Sequence, residues 1–542
     1  MKLKYTGLLL VVAGMLLGSC KKNTTVFNDP YAGGKPALGI SVNPQQIPLP
    51  AEGEAGTEVT IAATGLSDYY AKKQLKFLFN GQEAQIVNVT ATNIIVKVPG
   101  NASSGVTSFV VDGQLVFGPV FTVLGKVAID PTFVAVSGAD GAVLRAFPVP
   151  LTQNLILLGA FTNYDGKGSV SRQNRIVRIF PDGTWDRSLL AGGGANSTLW
   201  DMAQVGPYYY VVGDLTGYAQ QGSGISRITR LNVAGQVDTA QVLTYTKKTK
   251  FIPAFNGGTT GTIRDIYPVG TNKMIISGNF NYYVSRQYDR YTFDYKDSTV
   301  TDSVDVRQLA RLNEDGSLDR TWRFLPTELG YRGQLGKSKP GANGPIRTIK
   351  HTGGVSGKIL VYGTFTSFDG TPAGGIIRLN AEDGSIDPSF NVGAGFDQGV
   401  AFVSFDEVNK KYLAAGVFNT VGGKASQYLV RLNLDGSVDA TFTPKVFIGG
   451  IPTYAKALTD GLIVVGGNFR TYNNVIRNGF AILNPDGTLA DGYNTVGNLT
   501  GEIIDTYETK TADNKRALLI MGSFFNFNNK IRRNLIRVKL EI

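Results

Sequence analysis

Along the chain, apolar residues come in short runs and alternating stretches, cut at close intervals by Gly, Asn, Asp and Pro. Segments such as GTEVTIAATGL, KQLKFLFNGQEAQIVNV and TNIIVKVPGNASSGVTSFVVDG read as strands joined by tight turns. Long amphipathic runs are few, so the pattern predicts an all-β chain with almost no helix. Composition agrees, with 67 Gly, 24 Tyr and 29 Phe. At 542 residues the chain exceeds one ordinary core and calls for two or more domains.

From residue 126 onward the pattern repeats. An apolar run ending in glycine returns as LLGAF, VVGDL, ISGNF, VYGTF, AAGVF, VGGNF and IMGSF. The glycines are Gly159, Gly213, Gly278, Gly363, Gly416, Gly467 and Gly522, spaced by 54, 65, 85, 53, 51 and 55 residues. A strand-and-turn period of this length points to propeller blades. A second phrase follows most copies: RIFPDGTWD, RLNVAGQVD, RLNEDGSLD and RLNLDGSVD. In RLNEDGSLD the Asn-Glu-Asp-Gly segment suits a type I turn with Gly316 at positive φ, the outer hairpin of a blade. The phrase decays in ILNPDGTLA at 482–490.

The last copy stops at Ile542 where its turn is due, and AIDPTF at 128–133 matches SIDPSF at 385–390. One blade is therefore expected to draw strands from both ends of the repeat region, leaving no open edge. These phrases resemble bacterial delta-60-type repeat propellers. The resemblance implies a seven-bladed β-propeller over 126–542, with insertions at 281–308 and 323–344.

Ahead of it, 37–125 carries a GTEVTI strand, an FNGQEA hairpin and a TNIIVKVP segment, and resembles the immunoglobulin-like IPT/TIG fold. That resemblance implies a β-sandwich serving as spacer or contact module. Lys2, Lys4 and the apolar run Leu8 to Leu17 form a secretory signal, 1–19. The LGSC segment resembles a bacterial lipobox, which implies cleavage before Cys20 and its acylation. Cys20 is the only cysteine, so the chain forms no internal disulfide. Residues 20–36 are polar and small, as a flexible tether requires. The arrangement resembles Bacteroidota-like surface lipoproteins and implies a lipid-anchored outer-membrane protein, on the cell surface rather than the periplasmic face. The basic KKN after Cys20 departs from the acidic run that resembles a surface-export tag.

The formal charge of +11 falls to about +9 once Lys2 and Lys4 leave, and its basic residues are scattered. They form no patch interleaved with stacking aromatics, so nucleic acid is not an expected partner. A lone histidine, His351, precludes a two-histidine metal site, and no nucleophile-elbow phrase accompanies it. The Asp-Gly turns lack the first acid and distal glutamate of an EF-hand-type calcium loop, and turn chemistry explains them. No cofactor is expected. The recurring Arg178, Arg230, Arg311, Arg378 and Arg431 are expected to tie neighbouring blades.

Function in a repeat scaffold is sought where the repeat is broken. The first insertion carries Tyr288 and places Tyr291, Phe293 and Tyr295 on one face by alternation, and the second, read as a long polar loop, carries Tyr331 and Arg332. Aromatic rings with polar edges suit a sugar or a partner protein. The leading expectation is non-enzymatic glycan binding. A scaffold for an outer-membrane partner protein or transporter comes second, and a polysaccharide-degrading enzyme third.

Overall fold

The computed structural model describes residues 34–169, 173–243, 246–288, 299–350 and 357–541. In the N-terminal part, eight strands form one curled sheet. Their order is Ser41–Val42, Glu58–Thr64, Asn93–Lys97, Gln82–Val89, Leu75–Phe79, Gly105–Val111, Gln114–Val123 and Glu52–Gly53. Alternation selects the core: Val59, Ile61 and Ala63 point inward from Glu58–Thr64, against Phe77, Phe79, Phe109 and Phe121. Those four rings meet edge to face at 5.1–5.2 Å. Asn80 and Gly81 turn the central hairpin with φ of 42° and 83°, the left-handed pair that a tight two-residue turn needs. Among the described residues the one α-helix is Ser67–Ala71, and no helix is long and apolar enough to cross a membrane.

The rest is a propeller of seven blades. Their inner strands are Val143–Pro148, Leu199–Val205, Thr262–Val269, Ile346–Lys350, Val400–Asp406, Pro452–Ala457 and Leu499–Lys510. Each inner strand touches the next, and the seventh touches the first, so the ring is closed. In every blade a second and third strand follow antiparallel, and in six of them a single bridge such as Leu312↔Leu318 marks a vestigial outer strand. Blade 7 is completed by Val127–Ile129, which pairs with Leu535–Leu540. Closure by strands from both ends is the arrangement the AIDPTF match predicts.

The structure explains the seven repeated glycines. Each ends the central apolar run of a second strand and pairs with a residue in the first half of an inner strand. A Cβ on Gly159 would lie 2.1 Å from the Ala142 carbonyl, and one on Gly522 would lie 2.0 Å from that of Glu502. Close backbone approach therefore demands glycine there, with no call on its φ freedom. The aromatic or leucine two residues later, Phe161 through Phe524, is buried in the blade core.

The RLN phrase is a latch. Arg378, with its side chain 3 % exposed, donates from Nε to Asp387 Oδ2 at 2.7 Å and from Nη1 to the Leu434 carbonyl of the next blade's turn at 2.5 Å. Arg230, Arg311 and Arg431 repeat both contacts, reaching the carbonyls of Glu314, Glu382 and Pro485. Arg537 does the same with Asp130 and Pro181, so the latch also closes the ring. Arg178 keeps its aspartate, Asp186, at 2.6 Å.

Two stretches depart from the sequence reading. Part of 323–344, read as a polar loop, forms a hairpin of Phe324–Leu329 and Leu335–Ser338. Thr239–Leu243 and Thr249–Pro253 form another pair that no Gly or Asn turn announces in the intervening sequence.

Candidate functional site

The repeated glycines also mark a ring of side chains. Opposite the residue before each glycine, the inner strands place Arg145, Asp201, Asp265, Arg347, Phe402, Tyr454 and Asp505, one per blade. Six of the seven inner strands carry a β-bulge just before this position, which re-aims the side chain. Arg145 lies 3.2 Å from Asp505, 3.6 Å from Asp265 and 3.7 Å from Asp201. One guanidinium thus meets carboxylates from three other blades, which fixes it on the propeller axis.

The three acids are not equivalent. Asp505 is buried, yet Lys456 at 3.0 Å and Arg145 hold its carboxyl below the usual range. Burial pushes Asp201 up to about 6, because Arg145 is more distant and the Asp265 charge opposes it. Asp265 Oδ2 accepts from Ser277 and from the Thr348 amide, whereas its Oδ1 accepts no hydrogen bond and faces Arg145 and Arg347.

Close by, Arg264 sits over Trp200, its guanidinium carbon 3.5 Å from the ring centroid. Trp200 Nε1 donates to Asp214 Oδ2 at 2.9 Å, which fixes the ring. Trp200, Arg264 and Arg347 are all half-buried. Burial, and then the Arg347 charge, lower the pKa of Arg264. Among the described residues no three acidic, histidine or cysteine side chains gather as a metal cage.

The insertions stand on the rim. Tyr282–Gln287 pairs with Val300–Asp305, an enlarged version of the short hairpin that blade 4 carries at Ser367–Phe368 and Thr371–Pro372. Tyr283 anchors it by donating to the Gly316 carbonyl at 2.5 Å, as Tyr164 does to Gly183 and Tyr472 to Gly487 in their blades. Arg286 reaches the Gly224 carbonyl and Ser226 Oγ of blade 2, both at 2.8 Å. Tyr288 is half-buried beside Gly224, and burial raises its pKa. Its ring therefore packs back onto the protein. Tyr291, Phe293, Tyr295, His351 and Cys20 lie outside the described residues. Tyr331 and Arg332 form the 3₁₀ turn at the tip of the 324–338 hairpin, where Arg332 is exposed with φ 55°. The rim also exposes Leu243, Phe251, Leu329 and Leu335.

The Asp-Gly turns use their oxygens internally. Asp315 Oδ1 accepts from the Ser317 amide and hydroxyl at 2.8 and 2.7 Å, and Asp383, Asp435 and Asp486 repeat the pattern.

Residues 16–119 match the model of a domain of unknown function, DUF5008. Residues 297–321, 356–390, 409–442 and 458–489 match a domain of unknown function described as a beta-propeller, DUF5122. Three of those matches span a second strand, a third strand and the Asp-Gly turn that follows. No curated protein matches the chain. Among solved structures it is similar to an auxiliary nutrient binding protein from Bacteroides thetaiotaomicron, at 12% identity and a TM-score of 0.30, over 92% of this chain and 98% of that one. A protein of the same description from Bacteroides ovatus gives 13%, 0.30, 78% and 96%. The Dos1 propeller gives 11%, 0.35, 77% and 95%. Likenesses of this strength carry no argument about what the chain binds.

The axial residues escaped the sequence reading. Their inner strands, LRAF, WDMA, RDIY, IRTI, AFVS, TYAK and IDTY, share no common phrase. The one available signal was indirect: each stands opposite the residue that precedes a repeated glycine.

Proposed function

We propose that this chain is a non-enzymatic recognition protein of the cell envelope whose propeller binds a glycan at the axial end beside Trp200. The carrying observation is the Arg264–Trp200 stack, half-exposed and flanked by Asp201, Asp214 and Arg347, where a flat ring with polar edges meets several hydrogen-bonding groups. The axial carboxylates share one arginine, which suits a fixed electrostatic lock better than a general acid and base set across a scissile bond. In this reading Cys20 carries the acyl anchor, and the N-terminal sheet is an IPT/TIG-type spacer that holds the propeller off the outer membrane.

A specific observation favours a second role for the spacer. Val106, Leu115, Phe117 and Val120 share its outer face, and Phe117 is 63 % exposed. A partner protein docked there fits the scaffold reading.

The test is retardation in native gels cast with a panel of polysaccharides. Trp200→Ala is expected to abolish retardation, and Tyr288→Ala to leave it intact. A Tyr291→Ala/Tyr295→Ala variant tests the rim as platform. Loss there with Trp200→Ala unaffected would move the site to the insertion, and no retardation in any gel would overturn glycan binding.

A further inference from the structure

In five latches the arginine donates from Nη1 to a carbonyl of the next blade's turn. Blade 1 keeps the arginine without that reach. Arg178 holds Asp186 and Ser188 of its own blade, and its Nη1 has no acceptor among the described residues. It borders a groove of about 360 Å³ at the passage from blade 1 to blade 2, floored by the buried Ile176 and Leu189. Gln173 lines the same groove and is 4 % exposed; its Oε1 accepts from the Tyr164 amide, and its Nε2 is a buried donor with no acceptor. Half-buried Trp185 forms a wall, at a position where the other vestigial outer strands carry Val237, Leu318, Ile386, Val438 and Leu489. Blade 5 has the same groove, of about 300 Å³, with Ser426, Val438 and Ala440 in place of Gln173, Trp185 and Arg187. The groove thus belongs to the repeat, and the open donor and the aromatic ring are what blade 1 adds to it.

We propose that the blade 1 groove binds one N-acetylated sugar residue, whose acetamido carbonyl accepts from Gln173 Nε2, whose methyl lies on Ile176 and Leu189, and whose ring rests against Trp185. This rests on the glycan reading above and adds to it a subsidiary site, too weak alone to retard the chain in a gel. A buried amide donor calls for an acceptor, and the aliphatic floor beside it calls for an apolar group; the acetamido substituent supplies both within a few atoms. Trp185 offers flat apolar area to a sugar face, and the volume lies in the range of small-ligand sites. Charge does not select the ligand. Asp186 is paired with Arg178 at 2.6 Å, and exposed Arg187 sits over Trp185, its guanidinium carbon 4.8 Å from the ring centroid, where an arriving sugar can displace it.

The experiment compares tri-N-acetylchitotriose with cellotriose by calorimetry, using the purified full chain. The two share the β-1,4 linkage and are both neutral, and they differ in carrying acetamido or hydroxyl at C2. The acetylated trisaccharide is expected to bind at least about tenfold more tightly, because a site built around a hydrogen-bonding group discriminates against the analogue that lacks it. Trp185→Leu and Gln173→Val install the residue types that blade 3 carries at these positions, Leu318 and Val306, and each should cut that binding at least about tenfold at unchanged melting temperature. Ser426→Ala, in the blade 5 groove, should leave it unchanged. Equal binding of the two trisaccharides would overturn the proposal while leaving glycan recognition standing. Loss in Trp200→Ala with Trp185→Leu unaffected would put the acetamido sugar at the axis and overturn it too. Binding of neither trisaccharide would remove the groove as a sugar site, and the polysaccharide gels decide the glycan reading separately. The comparison of the two ligands holds even if a variant misfolds.

Discussion

Replacing Arg378 by Met tests whether the repeated latch holds the blades together. Met keeps most of the side-chain volume and removes the four donations to Asp387, Tyr412, Leu434 and Ser389. Charge-assisted hydrogen bonds contribute about 1.5–3 kcal/mol each, and breaking a buried pair costs about 3–5 kcal/mol. Asp387 is left compensated, because Lys358 at 3.0 Å and Ser389 Oγ at 2.7 Å remain. The cost should therefore fall at the low end, about 3 kcal/mol. A cycle with Asp387→Leu should give a coupling of about 2 kcal/mol between the two side chains.

Urea unfolding monitored by tryptophan fluorescence reads this out. Trp322 is buried and donates to the Ala381 carbonyl at 3.0 Å, so it reports on the junction of blades 3 and 4. Acid supplies a second check. Burial alone would raise the Asp387 carboxyl, but donations from Ser389, Lys358 and Arg378 hold it well below the usual range. A depressed folded value means the stabilisation is complete above about pH 4, the unfolded value, and is lost as pH falls below it. Arg378→Met should flatten that acid loss. A coupling under about 0.5 kcal/mol with an unchanged acid profile would refute the latch as an energetic element, leaving it a by-product of the repeat.

Other outcomes follow from the same geometry. Asp201→Asn should stabilise the protein at pH 7.5. Its folded value near 6 lies above the unfolded one, so its charge costs roughly 3 kcal/mol at neutral pH, a cost that disappears as pH falls from 6 toward 4; thermal melts across that window should lose their slope in the variant. Asp130→Ala strands the buried Arg537 and should cost about 3–5 kcal/mol, whereas Asp238→Ala, whose carboxylate is 26 % exposed, should cost about 1 kcal/mol in the same denaturation assay. Gly316→Val should cost at least about 2 kcal/mol, because φ is +93° and the added Cβ would lie 2.9 Å from Asn256 backbone atoms.

Local, repeated chemistry was legible in the sequence and single long-range meetings were not. The Asp-Gly turns, the glycines and the latch arginines recur in most blades, so repetition separates them from background. Closure was legible because a missing phrase at one end matched a surplus one at the other. Arg145 and its three acids come together only through the ring, from 145 to 505, and nothing near any of them in the chain announces a partner. The lysines that back the latch, Lys273, Lys358 and Lys411, were equally hidden, each starting a second strand with its ammonium on the latch aspartate. The 324–338 hairpin was read as a loop because its Gly, Pro and Lys content masks a pairing that leaves most of its residues exposed.

Where the repeat decays, the decay itself carries information. In blade 6 the latch positions are Ile482 and Ala490, and the next blade, whose outer strand Val127–Ile129 comes from the other end of the repeat region, presents no Asp-Gly turn for an arginine to reach. Asn494 substitutes, accepting from the Ile482 amide at 2.9 Å and donating to the Ile482 and Ala490 carbonyls at 2.8 and 2.9 Å. The adjoining stretch then meets the N-terminal sheet: the Thr495 carbonyl accepts from the Ser104 amide and hydroxyl, at 2.8 and 3.0 Å, and the Gly492 carbonyl accepts from Lys126. Arg477 Nη2 and Asn529 Nδ2 add donations to the Asn101 and Ser104 carbonyls. The lapse follows from closure, since an arginine there would have no neighbouring turn carbonyl to reach, and the stretch that follows it is the one that meets the N-terminal sheet. The lapse in ILNPDGTLA thus marks the place beside the closing blade, where the repeat has no turn left to latch.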